Sequence, residues 1–170
     1  MSQQSLKPPA LKKFLVEKCF IGFGIINGII NGAIFYFINK NNSKALSFFE
    51  IGMDFLITAI ILSFVVAFIA QANAKSFIKK SGFPEISYNK EDHLFIRFFP
   101  KNSFMKALVI AILCGIIFAP LFCGVGVMIN IPTTLYPVMI LKGVACSFIG
   151  GFTGYFAILS QILEEKPQGN

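Results

Sequence analysis

Tryptophan is absent from this 170-residue chain, and charged residues make up only 14% of it. Soluble domains usually carry about a quarter charged residues. Hydrophobic residues reach 55%, and the mean hydropathy is +0.72. A soluble domain of this length has too little interior to bury so many apolar side chains, so we expect lipid to surround the chain. Any aromatic contacts at the membrane surface must then come from phenylalanines and from Tyr36, Tyr136 and Tyr155.

Residues that serve catalysis or metal binding are also scarce. The single histidine, His93, lies in a polar stretch, and the four cysteines (Cys19, Cys114, Cys123, Cys146) form no CxxC pair. The sequence has no glycine-rich phosphate loop followed by Lys-Ser/Thr, and no serine with an evident base beside it. We therefore expect no enzyme activity, no cofactor and no metal site. We interpret the cysteines as small packing residues.

Four apolar runs divide the chain, and each has the roughly 20 residues that cross a bilayer as a helix. None of them alternates in the way of a strand, and only helices or closed barrels satisfy their backbone in lipid. We predict an all-α integral membrane four-helix bundle, made of two transmembrane hairpins that form one membrane domain over residues 1–170. The predicted helices cover about 19–38, 51–72, 107–129 and 134–163, and a polar loop covers 73–106.

Basic residues lie mostly on one side of these runs. Of the 15 lysines and arginines, 12 belong to the N-terminal segment, the loop 73–106 or the C-terminal tail. Lys40 and Lys44 lie on the other side, and Lys142 lies within a run. The positive-inside rule then predicts a multi-pass protein of the cell (inner or plasma) membrane with both termini and the loop in the cytoplasm. Because this topology explains the net charge of +7, we expect no nucleic-acid partner.

Two short patterns carry a resemblance to a known family. They are NGIING at 27–32 in the first run, and SFVVAF at 63–68 followed by two lysines at 79–80. This region resembles a family of small two-helix bacterial membrane proteins of unknown function, whose second helix often has proline where this chain has Ile69. The likeness covers roughly residues 19–80 and is echoed in 107–163. It implies a transmembrane hairpin, present here as a tandem pair or internal repeat, and no known activity.

The first run combines glycines and amides at helical spacing. Gly24, Gly28 and Gly32 recur every four residues, and such a groove lets another helix approach closely in lipid. Asn27 and Asn31 lie on the adjoining face. An amide in hydrocarbon needs a partner, so we expect both side chains to face the bundle. They act there either as interhelical contacts or as a polar lining for a solute or ion path.

Two opposite charges and one proline lie inside the other runs. At 1.5 Å per residue, Asp54 in the second run and Lys142 in the fourth reach comparable depths from the same side. An isolated charge there is costly, so we expect the two to pair. The pair either fixes how the hairpins dock or serves as a gate or proton-coupled switch. Pro120 removes one hydrogen bond from the third helix and is a candidate hinge or kink.

Two classes of function stay open. A small permease-like or channel-like protein would be an oligomer, because four helices enclose little space, and it predicts that Asn31, Asp54 and Lys142 are accessible to water. A non-catalytic accessory or scaffold protein predicts a dry, paired core. Its glycine grooves and its loop, around residues 94–101, would bind partners. The polar residues within the runs favour transport. In both classes the partners are the lipid bilayer and either further copies of the chain or a partner membrane protein.

Overall fold

In the computed structural model, the described residues (13, 15–41, 46–81 and 98–164) form four long helices and no strand. These helices are α1 (Leu15–Asn39), α2 (Phe48–Ser81), α3 (Ser103–Met128) and α4 (Leu135–Glu164). All four contain a segment long and apolar enough to cross a membrane. The predicted all-α four-helix architecture of a membrane protein is confirmed.

The helices extend further at one end of the bundle than the apolar runs indicated. α2 continues to Ser81 rather than ending near residue 72, and α3 begins at Ser103 rather than near 107. The predicted loop 73–106 is therefore shortened to 82–102, and its part 82–97, with His93, lies outside the described residues. Hydropathy locates the membrane-crossing part of a helix, whereas the helix itself continues through polar residues with good helix propensity.

The described parts of the two short connections, residues 40–41, 46–47 and 129–134, lie at the other end of the bundle, which we call the turn end. The backbone N–H of Leu46 donates a hydrogen bond to the carbonyl oxygen of Thr133 at 3.2 Å, which joins the two connections. The opposite end, where α2 and α4 finish and α3 begins, is the loop end. α2 and α4 therefore run in the same direction, from the turn end to the loop end.

Three helix ends have capping contacts, namely the start of α2 and both ends of α3. Ser47 and Glu50 form a capping box, in which the Ser47 N–H donates to the Glu50 carboxylate at 2.8 Å and the Glu50 N–H donates to Ser47 Oγ at 3.2 Å. The Asn102 side chain accepts hydrogen bonds from Phe104 and Met105 at the start of α3. Asn130 adopts a positive φ of 49° just after α3, and the N–H of Ile131 donates to the Gly126 carbonyl, as in a Schellman motif.

Helix packing does not follow the order of the chain. α2 packs most extensively against α3 and also against α4, whereas α1 packs mainly against α4 rather than against its sequence neighbour α2. The reason is local shape, because α1 and α4 both carry small residues that allow close approach. α1 and α2 thus follow each other in the chain, as in the predicted hairpin, but they do not pack mainly against each other. α4 contacts all three other helices. Buried clusters join all four helices near both ends.

Candidate functional site in the bundle interior

An ion pair between α2 and α4 lies near the turn end. Lys142 Nζ is 2.5 Å from Asp54 Oδ2, and the lysine side chain is only 6% exposed while that of Asp54 is 40% exposed. Asp54 lies six residues from the start of α2 and Lys142 seven from the start of α4, about 9 and 10 Å along their axes. The structure therefore brings together the two charges that the depth argument paired.

The ammonium group of Lys142 has a second partner in α1. Its Nζ lies 5.1 Å from the centre of the Phe35 ring, over the ring face, and Phe35 is itself buried. One cation thus contacts a carboxylate from α2 and an aromatic ring from α1. The charge is stabilised inside the bundle, and it ties three helices together at one depth.

A layer of small polar groups links α2, α3 and α4 nearer the middle of the bundle. The fully buried Thr153 donates a hydrogen bond from Oγ1 to Ser63 Oγ at 3.1 Å, and Cys114 Sγ lies 3.4 Å from the same Thr153 oxygen. Each group therefore has a partner on a different helix. Between this layer and the ion pair lies the buried, apolar Ile149. The two polar sites are separated by packed side chains.

A third polar group lies at the loop end. Lys106, which is fully buried, donates from Nζ to Gln161 Oε1 at 3.5 Å. Gln71 of α2 is 6% exposed, and neither its amide nitrogen nor its amide oxygen has a hydrogen-bond partner. The flanking Ala70 and Ala74 belong to the same buried cluster as Ala107 and Ile162, so Gln71 lies in this end of the bundle. An unpaired buried amide costs about 1–3 kcal/mol, which makes Gln71 unusual in this interior.

The glycine groove of α1 is filled by small residues of α4. Gly24, Gly28 and Gly32 are buried. A Cβ atom added at Gly24 would lie 2.8 Å from the Ser147 carbonyl oxygen, and one added at Gly28 would lie 2.5 Å from the Gly143 carbonyl oxygen. Gly32 is less constrained, with its nearest atom, from Met139, at 3.7 Å. The predicted close helix approach therefore occurs, and its partner is α4.

Asn27 and Asn31 form different hydrogen bonds from those expected. The Asn27 amide donates to the Phe23 carbonyl oxygen at 2.5 Å, and the Asn31 amide donates to the Asn27 carbonyl oxygen at 2.9 Å. Both bonds stay within α1, because a short amide side chain reaches the carbonyl one turn back more easily than a group on another helix. Asn27 still faces α4, since its Cβ would lie 3.5 Å from a Cβ built at Gly150. It contacts α4 by packing, and neither amide forms a polar lining with Asp54 or Lys142.

Pro120 does not interrupt its helix. α3 is assigned as one helix from Ser103 to Met128, and Pro120 lies on its exposed face. Proline has no N–H to donate to the carbonyl oxygen of Ile116 one turn earlier, and the helix continues past this missing hydrogen bond. Pro120 lines neither of the two cavities described next.

Both of these cavities are on the outside of the bundle. One is an open groove of about 460 Å³ between α1 and α4, beside Gly28, Gly143 and Ser147. The other is an apolar groove of about 450 Å³ between α3 and α4, lined by side chains such as Leu113, Ile117 and Phe156. Neither is lined by Asp54, Lys142, Thr153 or Gln71.

The sequence did not predict the two other polar groups, the one around Thr153 and the one at the loop end with Gln71. Lys142, Thr153 and Ser160 follow one another on α4 at spacings of 11 and 7 residues, which places them on one helical face. That pattern is readable from the sequence, and it would have pointed to a polar stripe facing the bundle. Gln71 gave a weaker signal, because it lies at the edge of an apolar run, where polar residues are expected.

Comparisons of the chain with protein-family models, with curated proteins and with solved structures found no match.

Proposed function

We propose that this chain is a non-catalytic membrane accessory protein that acts by binding partner membrane proteins rather than by moving a solute. The observation that carries the proposal is the Asp54–Lys142 ion pair. A permease needs charged or polar groups that water or a solute reaches in sequence along one path. Here the buried cation is already bound by a carboxylate and a ring, and the next polar layer is separated from it by Ile149.

Three other polar residues, Asn27, Asn31 and Thr153, support the same class. Asn27 and Asn31 bond to their own helix, and Thr153 bonds to Ser63 on a neighbouring helix. Hydrogen bonds of this kind hold transmembrane helices together at modest energy, about 0.6–2 kcal/mol each. The two grooves described above open on the outside of the bundle, where partners and lipids have access.

The proposal includes the location given by the charge pattern. The basic segments of the chain adjoin in sequence the helix ends at the loop end, and the positive-inside rule assigns that end to the cytoplasm. The protein would then lie in the cell membrane with both termini cytoplasmic. Its partners would be either further copies of the chain or another membrane protein, contacted through the exposed apolar faces of the helices.

The transport alternative is tested with a native cysteine. Cys146 is 1% exposed and lies one turn after Lys142 on the same buried face of α4. Cys19, Cys114 and Cys123 are replaced by alanine, and intact membranes are treated with a charged, membrane-impermeant methanethiosulfonate from either side. We expect Cys146 to stay unmodified. A Thr134→Cys variant in the exposed turn, made in a background that also carries Cys146→Ala, provides the positive control. Modification of Cys146 at a rate close to that of the control would contradict the proposal.

The partner interaction is tested by photo-crosslinking in native membranes. A photoreactive amino acid is placed singly at exposed apolar positions, one for each helix: Ile29, Ile61, Ile116 and Ile140. An accessory protein gives an adduct of one defined mass from one face and none from the others. An adduct of twice the 18.8 kDa chain mass identifies a second copy. The absence of protein adducts at every position would contradict the proposal.

A further inference from the structure

The apolar groove between α3 and α4 has the shape of a site for a single flexible chain. Its volume is about 450 Å³, and it is lined almost wholly by phenylalanine, leucine, isoleucine and valine side chains. The one residue with a polar atom in its side chain is Cys114, whose sulfur lies 3.4 Å from Thr153. The groove therefore offers apolar contact and almost no hydrogen-bonding group to an occupant.

The groove is about as long as one leaflet of a bilayer is deep. On α3 it extends from Val109 to Phe118, nine residues or about 14 Å of helix rise. Half of the roughly 30 Å hydrocarbon core is about 15 Å. At the loop end it reaches Phe98 and Phe99, which precede α3. An occupant that follows the groove thus starts at the level of the bundle end and reaches the middle of the membrane.

One exposed positive charge lies close in sequence to the loop end of the groove. Lys101 is exposed and follows Phe99 by two residues, immediately before α3 begins. The basic segments of the chain adjoin the helix ends of this same end in sequence, whereas Lys40 lies at the turn end. A basic residue near a membrane surface attracts anionic lipid with about 1 kcal/mol.

We propose that the α3–α4 groove binds one acyl chain of an anionic phospholipid, with the lipid phosphate held at Lys101. A lipid combines the two features that the site requires, namely a long apolar chain and a negative group at one end. A partner helix fits less well, because about 450 Å³ spread over about 14 Å of groove gives a mean cross-section of about 32 Å², whereas an α-helix with its side chains is about 10–12 Å across. The inference is independent of the proposed partner-binding function, since it concerns the purified chain in lipid.

The absence of tryptophan allows a direct test by fluorescence. Leu113, which lines the groove and is 43% exposed, is replaced by tryptophan, and Val65 of α2, which is 46% exposed and outside the groove, is replaced in a matched control. Val65 lies close in depth to Leu113, because Ser63 and Cys114 both contact Thr153. Each purified protein is placed in vesicles with increasing fractions of phosphatidylglycerol or phosphatidylcholine brominated on the acyl chain, which quenches nearby tryptophan.

The expected result is saturable quenching of the Leu113→Trp reporter at a roughly fivefold lower fraction of the anionic lipid than of the zwitterionic lipid, the factor equivalent to ~1 kcal/mol. The Val65→Trp control shows the same linear quenching with both lipids. Lys101→Gln removes the preference at position 113, whereas Lys40→Gln at the turn end leaves it. Ile117→Trp is a second reporter in the groove in case a ring at 113 fills the site.

Two results would overturn the proposal. Equal quenching by both lipids at both groove reporters would show that the groove holds ordinary bulk lipid without preference. Groove reporters that neither lipid quenches, in protein that elutes as a folded species, would show that another copy of the chain occupies the groove.

Discussion

Gly28 of α1 and Gly143 of α4 lie in direct backbone contact, so that a Cβ atom on Gly28 would lie 2.5 Å from the Gly143 carbonyl oxygen. It would also overlap the hydroxyl of Ser147. The serine can rotate away, but the carbonyl belongs to the helix backbone and cannot. This contact explains why α1 packs against α4 although α2 follows it in the chain.

Gly28→Ala is expected to destabilise the bundle by about 1–3 kcal/mol, the usual cost of overpacking a close contact. The measurement is unfolding of the purified protein by a denaturing detergent. Gly22→Ala is the matched control, because a Cβ at Gly22 meets nothing within 4 Å, and it should leave stability unchanged or slightly raised. Equal effects of the two substitutions would contradict the packing described for α1 and α4.

The hydrogen bond between Thr153 and Ser63 is expected to couple α4 with α2. Thr153→Val keeps the shape of the side chain and removes the hydroxyl, and Ser63→Ala removes the acceptor. A double-mutant cycle of unfolding free energies should give a coupling of about 0.6 kcal/mol, with an upper limit near 1.7. A coupling of zero would mean that the hydroxyls do not bond in the membrane.

Gln71→Leu is expected to stabilise the protein. The Gln71 amide is buried without a hydrogen-bond partner, so its replacement by an apolar side chain of similar size removes a desolvation cost of about 1–3 kcal/mol. The test is the same unfolding measurement, with Gln71→Glu as the opposite change, which should destabilise. A loss of stability in Gln71→Leu would show that the amide has a partner in the membrane.

Ser47→Ala is expected to loosen the first turn of α2. The substitution removes the Ser47 hydroxyl that accepts from the Glu50 N–H, whereas Glu50→Gln keeps a side-chain acceptor for the Ser47 N–H. Loss of an N-cap costs about 0.5–2 kcal/mol. Amide hydrogen exchange in residues 48–51 should therefore become faster in Ser47→Ala and stay nearly unchanged in Glu50→Gln. Equal exchange in both variants would argue against the capping box.

The fold was largely predictable from hydropathy, because lipid requires each apolar run to satisfy its backbone within a helix. The similar depths of Asp54 and Lys142 could also be predicted, because each residue of a helix adds a fixed distance along its axis. The ends of α2 and α3 were not readable in this way, because their polar residues continue the helix outside the hydrocarbon. The sequence also did not show which helices pack against each other. A glycine such as Gly28 indicates a close approach of two helices but does not indicate which helix is the partner.

The hydrogen bonds of the asparagines show a second limit. The sequence indicates that Asn27 needs a partner, yet the choice between another helix and the carbonyl of Phe23 depends on side-chain geometry. The lone Gln71 shows the converse case, in which a residue unremarkable in the sequence becomes unusual only when its surroundings are known.

The measurement that tests the account most directly is charge cancellation at the ion pair. Asp54→Asn leaves the buried Lys142 cation without its carboxylate and should lower the amount of folded protein in the membrane, with a cost of up to about 3–5 kcal/mol. Lys142→Gln should cost less, because the Asp54 side chain is 40% exposed. The double variant should recover most of the folded protein. If both single variants and the double variant accumulate like the unmodified chain, the charges do not hold the bundle together, and the account of a closed, paired interior is contradicted.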